Sequence, residues 1–150
     1  MRIRILQEEQ WLPVRRDKVF AFFADAGNLD LITPPWMKFE VLTPRPIAMH
    51  AGAIIDYRLR VRWLPIRWQS EITVWDPPHR FVDVRRRGPY RQWIHEHSFE
   101  ERDGGTVIRD HVRYAVPGWL FEPLVHRWFV APDLRKIFEY RKTRIAELLK

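Results

Sequence analysis

The chain has 150 residues and a formal net charge of +7, with 26 Lys and Arg against 19 Asp and Glu. That length suits one domain with a real core, expected to span residues 1–150. The absence of cysteine excludes disulfides, thiolate metal sites and cysteine nucleophiles. No stretch is apolar enough to span a bilayer, and the first ten residues lack a signal peptide's apolar centre, so a cytoplasmic location is expected.

Residues 2–11 read as a first strand with Ile3, Ile5 and Trp11 as its apolar positions. Val19, Phe22 and Phe23 then recur at helical spacing, and Gly27 marks a break. A second short helix around Asn28 to Ile32 stops at Pro34 and Pro35, which cannot continue it. "MKFEVL" is a strand, followed by four segments with a two-residue period: 53–63, 66–75, 80–87 and 91–101. A further strand at 106–116 follows the turn signal Asp103-Gly104. From Asp133 to Leu149 the chain is an amphipathic helix, with Leu134, Ile137, Phe138, Ile145 and Leu148 on one stripe and Arg141 interrupting it. Residues 118–131 form a preceding helix or turn, and Pro132 sits in the first turn of the long one. The expected class is α+β: a curved antiparallel sheet of about seven strands around a long C-terminal helix.

Turn lengths set the pairing. A two-residue turn at Asp103-Gly104 puts Phe99, His97, His95 and Trp93 opposite Ile108, Asp110, Val112 and Tyr114. A turn at Leu64-Pro65 pairs Tyr57 with Ile72, Leu59 with Ser70, Val61 with Trp68 and Arg58 with Glu71. "DPPH" sets Phe81 opposite Val74 and Asp83 opposite Ile72, and the next hairpin sets Asp83 opposite His95 and Phe81 opposite His97. The inner face then carries a polar island of Asp83, Arg85, His95, His97 and Asp110. An aromatic and aliphatic wall surrounds it: Tyr57, Leu59, Trp63, Trp68, Phe81, Trp93, Phe99 and Tyr114, with Trp128 added from the segment before the long helix. Trp63, Trp68, Tyr90, Trp93, Tyr114 and Trp119 crowd toward one end, a natural mouth.

Four stretches carry a family resemblance: "VFAFFADAGNLDLITPPWMKFEVL", "GAIIDYRLRVRWLPIRWQSEITVWDPPHRFVD", "RGPYRQWIHEHSFEERDGGTVIRDHVRYAVP" and "DLRKIFEYRKTRIAELL". Over nearly its whole length the chain resembles the SRPBCC superfamily of START-like helix-grip proteins, and most closely its small bacterial ligand-binding and polyketide cyclase or dehydratase members. The resemblance implies a cavity between sheet and long helix that holds a hydrophobic or amphipathic molecule. It is not specific for an activity.

His95 and His97 with Asp83 and Asp110 admit two readings. Carboxylate-oriented imidazoles suit acid–base chemistry of the cyclase or dehydratase kind, but a satisfied internal network that fixes strand register is the preferred reading. Two histidines and a facing carboxylate could ligate zinc, yet no third histidine has motif spacing, so neither a metal nor a cofactor is expected. Arg85 either holds a ligand's anionic group or pairs with Asp83. Trp36, in "TPPWMKF", is either part of a lid or, preferably, a core plug.

Arg58, Arg60, Arg62, Arg67, Arg86, Arg109 and Arg113 line the outer face without interleaved stacking aromatics, so nucleic acid is not an expected partner and membrane contact is peripheral at most. Trp75, Val82, Val84 and Ile94 share that outer side and could mark a dimer contact; monomer and homodimer both stay open. The expected function is binding of a lipid, polyketide, isoprenoid or similar molecule. The rivals are a cyclase or dehydratase and a partner-binding module with a filled interior.

Overall fold

A computed structural model describes residues 1–150. Strand β1 (Arg4–Leu12) leads into α1 (Arg16–Ala24), a 3-10 helix over Ala26–Ile32 and a short one over Pro35–Met37. Six strands follow: β2 (Glu40–Val41), β3 (Ile54–Val61), β4 (Leu64–Asp76), β5 (Arg80–Arg87), β6 (Gln92–Arg102) and β7 (Gly105–Ala115). They form one antiparallel sheet in the order β1-β7-β6-β5-β4-β3-β2. The chain ends in helix: α2 (Glu122–Val125), a π-helical turn over His126–Val130 and α3 (Ala131–Leu148). Pro132 falls where π turn meets α3. A proline ring clashes with the carbonyl four residues back, and the wider turn, closed by Ala131 N–H on the His126 carbonyl, accommodates it without ending the helix.

The Asp103-Gly104 turn has both central residues at positive φ, 52° and 74°, the backbone a tight hairpin of right-handed twist requires. The β6–β7 register is therefore the expected one, with Trp93 opposite Tyr114, His95 opposite Val112, His97 opposite Asp110 and Phe99 opposite Ile108. Asp83 also faces His95, and Phe81 faces His97. At the start of β7, Gly105 lies so close to β1 that a Cβ there would collide with the Leu12 carbonyl and the Trp11 ring. Gly105→Ala is expected to destabilise the protein by about 1–3 kcal/mol through overpacking, read as a lower urea midpoint with an unchanged slope.

Three local readings are corrected. The β3–β4 turn lies at Arg62-Trp63, with Arg62 at φ 60°, so Tyr57 faces Trp68, Leu59 faces Ile66 and Ile55 faces Ser70. Pro65 is instead a strand residue. It is tolerated because β5 first pairs with β4 at Gln69, so the missing N–H falls where no second neighbour needs it. Arg58 consequently pairs with Glu40, and Glu71 with Arg86. In β4 a bulge between Ile72 and Val74 reverses the alternation. Ile72 still faces Asp83, but Trp75 rather than Val74 faces Phe81. Trp75 thereby leaves the outer side and packs on Phe20 and Phe81, at 5.3 and 5.6 Å between ring centroids.

In β1 the inward side chains are Leu6, Glu8, Gln10 and Leu12, while Ile3, Ile5 and Trp11 are exposed. The inward polar residues hold the C-terminal helix. Gln10 donates to the Lys142 carbonyl at 2.8 Å, Lys142 meets Glu8 at 3.4 Å, and Arg4 meets Glu122 at 2.6 Å.

The main core lies between α1 and the sheet, where Val19, Phe20 and Phe23 meet Ile55, Tyr57, Leu59, Ile72, Phe81, Phe99 and Ile108. A smaller cluster of Val112, Tyr114, Val116, Leu134 and Phe138 joins β7 to α3. Trp36 plugs neither; it is exposed and packs edge-on against Tyr140 of α3.

Candidate functional site

Strand alternation aims His95 and His97 of β6 at the same inner face. Both are buried, as is Asp110 of β7. The two rings stack at 3.6 Å and 21°, Phe81 stacks on His97 at 4.1 Å and 13°, and Trp93 meets His95 edge-on at 6.3 Å. This stack redirects the hydrogen bonds. His95 Nε2 lies 2.8 Å from Asp110, and His97 Nε2 lies 2.6 Å from Asp83. The directly opposed partners, His95 with Asp83 and His97 with Asp110, are farther apart at 4.0 and 3.6 Å. Stacked imidazoles lean along the strand and reach diagonal neighbours, which lie within range of long side chains.

The fifth member comes from the long helix. Arg141 Nη2 donates to Asp110 at 3.2 Å and approaches His97 Nδ1 at 3.5 Å. Its guanidinium also lies 5.3 Å from the Phe23 ring centroid, and its buried Nε has no partner. The sequence signal was the charged position on the apolar stripe of α3.

Partner geometry assigns the protons. Each histidine Nε2–H donates to a carboxylate, which leaves His97 Nδ1 to accept from Arg141. Burial lowers the His97 pKa and the neighbouring His95 lowers it further. The hydrogen bond and charge of Asp83, and the charge of Asp110, offset this only in part, leaving His97 at about 4 against an ordinary 6.5. Burial pushes Asp110 up, but Arg141 and the two histidines outweigh it and hold it well below the carboxylate range. Asp83 behaves alike: burial raises it, the His97 hydrogen bond and the nearby His97, His95 and Arg141 side chains lower it more, and the net shift is downward. At neutral pH two carboxylates thus face one guanidinium.

Asp83, His95 and His97 offer nitrogen and oxygen atoms within 4.8 Å of one another, a spacing compatible with a metal. The cation of Arg141 beside His97 opposes a second positive charge there.

Other expected wall residues divide. Trp68, Tyr90, Trp93 and Tyr114 form one aromatic cluster, with Trp68 to Trp93 at 5.5 Å and Tyr90 to Trp93 at 4.9 Å. Tyr57, Leu59, Phe81 and Phe99 are buried core. Trp63, 81% exposed, and Trp128 do not face the interior. Trp63 sits at a hairpin tip, and Trp128 lies on the outward side of the π turn. Arg85 meets neither Asp83 nor the cluster; it donates to the Gly88 and Arg91 carbonyls and closes the β5–β6 turn. His126, which sequence spacing placed elsewhere, joins the wall at 2.8 Å from the Tyr114 hydroxyl. Two surface recesses of about 420 and 490 Å³, one beside Arg16 and Asp103 and one beside Gly27 and Arg45, lie apart from the cluster.

An open antiparallel sheet gripping a long C-terminal helix places the chain in the helix-grip class. Residues 12–139 match the family described as polyketide cyclase / dehydrase and lipid transport, and the chain belongs to that family. Among solved structures it is similar to protein CV1439 from Chromobacterium violaceum, with a TM-score of 0.74, 12% identity and 97% of each chain covered. It is also similar to the Zhui aromatase/cyclase from a Streptomyces species, with a TM-score of 0.72, 15% identity, 99% of this chain and 94% of that one covered. Ginseng major latex-like protein 151 from Panax ginseng gives 0.70 at 9% identity, covering 98% and 97%. A search of curated proteins found no match. No helix is long and apolar enough to cross a membrane.

Proposed function

We propose that the chain acts as a single domain that binds a largely apolar small molecule with one polar end, of the lipid, polyketide or isoprenoid kind, between sheet and α3. The observation that carries this is Arg141: a nine-tenths buried guanidinium whose Nε has no partner, beside a His/Asp cluster and flanked by aromatic rings. A ligand oxygen would satisfy that donor, and the rings of Trp68, Tyr90 and Trp93 would part to admit the apolar body. Belonging to a family described by both cyclases and lipid transport supports the ligand class. A second reading has the imidazoles performing acid–base chemistry on the bound molecule. The carboxylate on each Nε2, which fixes both tautomers, favours it.

Native mass spectrometry of protein purified from its own host is expected to show a small-molecule adduct that is lost on denaturation. Calorimetric titration with an uncharged long-chain ketone, whose oxygen can accept a hydrogen bond, is expected to show binding that His97→Gln weakens. A bare mass together with no binding of that ketone or of a polycyclic aromatic would reject the reading. Turnover abolished by His97→Gln with binding retained would move the assignment to the enzyme.

A further inference from the structure

One end of the molecule carries apolar side chains that the core does not use. Trp119 and Trp63 are each 81% exposed, and Phe121, Leu124, Trp128 and Phe129 are exposed with them. Phe121, Leu124 and Trp128 fall at helical spacing on one face. Neighbouring Val125 and Val130 pack against the smaller core cluster, so the chain here is seated and the exposed residues are its outward side. Arg62 joins the β3–β4 hairpin tip to this helix. It donates to Asp133 at 3.0 Å and lies 4.9 Å from the Phe129 ring centroid. An exposed apolar surface of this kind marks an interaction site.

Its charge decides the occupant. The two acids nearest the aromatic residues are already neutralised, Glu122 by Arg4 and Asp133 by Arg62. Arg127, Arg135 and Lys136 are exposed on the same helical stretch and have no ion-pair partner, and Arg60 and Arg67 flank the hairpin tip. A second copy of this chain would set a basic rim against a basic rim. Anionic headgroups complement the rim, and tryptophan side chains favour the boundary between headgroup and acyl chain. We propose that this aromatic face, rimmed by Arg127, Arg135 and Lys136, docks the protein on an anionic bilayer surface. The proposal is independent of what the interior binds.

The test is co-sedimentation of the full chain with vesicles of phosphatidylglycerol and phosphatidylcholine, and with vesicles of phosphatidylcholine alone. Binding to the anionic vesicles, released by salt, is expected. Trp119→Ser combined with Trp128→Ser, and separately Arg127→Glu combined with Lys136→Glu, are each expected to weaken it about tenfold while leaving thermal unfolding unchanged. The charge variant keeps the test valid if the tryptophan variant fails to fold. No sedimentation with anionic vesicles, or sedimentation indifferent to the variants, overturns the proposal. So does a dimer in size-exclusion chromatography that the tryptophan variant converts to monomer while vesicle binding is absent; the face would then join two copies.

Discussion

Arg141→Met is expected to destabilise the folded protein by about 3–5 kcal/mol, because it leaves a buried carboxylate without its cation. Asp110 is deep in the structure, and its ionised form depends first on Arg141 and then on His95. Methionine matches the length of the arginine stem and retains contact with Phe23 and Phe138, so the loss isolates the charge rather than the packing. Adding Asp110→Asn in the Arg141→Met background removes the stranded charge and is expected to recover part of the loss. Urea unfolding of the four species gives the coupling directly. A cost below about 1 kcal/mol for Arg141→Met, in the range of a surface ion pair, would show that Arg141 does not hold the network together.

The second large effect is on acidification. His97 has a pKa of about 4 in the folded chain against 6.5 when free. Between those values the unfolded chain binds the proton and the folded chain does not, so stability falls as pH falls from 6.5 toward 4. The full difference is about 3 kcal/mol. Asp83 and Asp110 act in the same direction at lower pH. Their folded values lie below the ordinary 3.8, so the stability they contribute is present above that value and is lost as pH falls further through their folded values. Thermal unfolding midpoints measured across this range should therefore drop in two stages. His97→Gln, which keeps a donor toward Asp83 but does not titrate, is expected to flatten the upper stage and leave the lower. A wild-type midpoint constant from pH 6.5 to 4 would contradict the burial of His97.

The two effects share one origin. Arg141, Asp110, His95, His97 and Asp83 link α3 to three adjacent strands through hydrogen bonds. The cluster sits between the main core under α1 and the smaller one under α3. A polar junction between two apolar clusters fixes the helix's rotation over the sheet, because turning α3 would draw Arg141 away from Asp110 and His97. The same junction leaves the buried Nε of Arg141 without a partner, and that donor is the one the proposed ligand would meet.

Sequence alone determined what depends on short-range rules. The Asp103-Gly104 turn demands positive φ at both residues, so the β6–β7 register and the meeting of two histidines with two carboxylates were legible from spacing. The seven strands and the long helix followed from hydrophobic period. What escaped were features set by neighbours distant in the chain. Leu64-Pro65 looks like a turn, but Pro65 is acceptable in β4 because the adjoining strand has ended there, which is a property of the sheet. The bulge before Val74 turned Trp75 inward to meet Phe20, and no local signal marks it. Which imidazole reaches which carboxylate was decided by ring stacking, not by register. Arg141 was visible as a charge on an apolar stripe, but its partner became known only when the helix was laid across β7. The exposure of Trp63 and Trp128 was likewise decided by where their segments lie, since a tryptophan carries the same apolar area whether the fold covers it or leaves it to water.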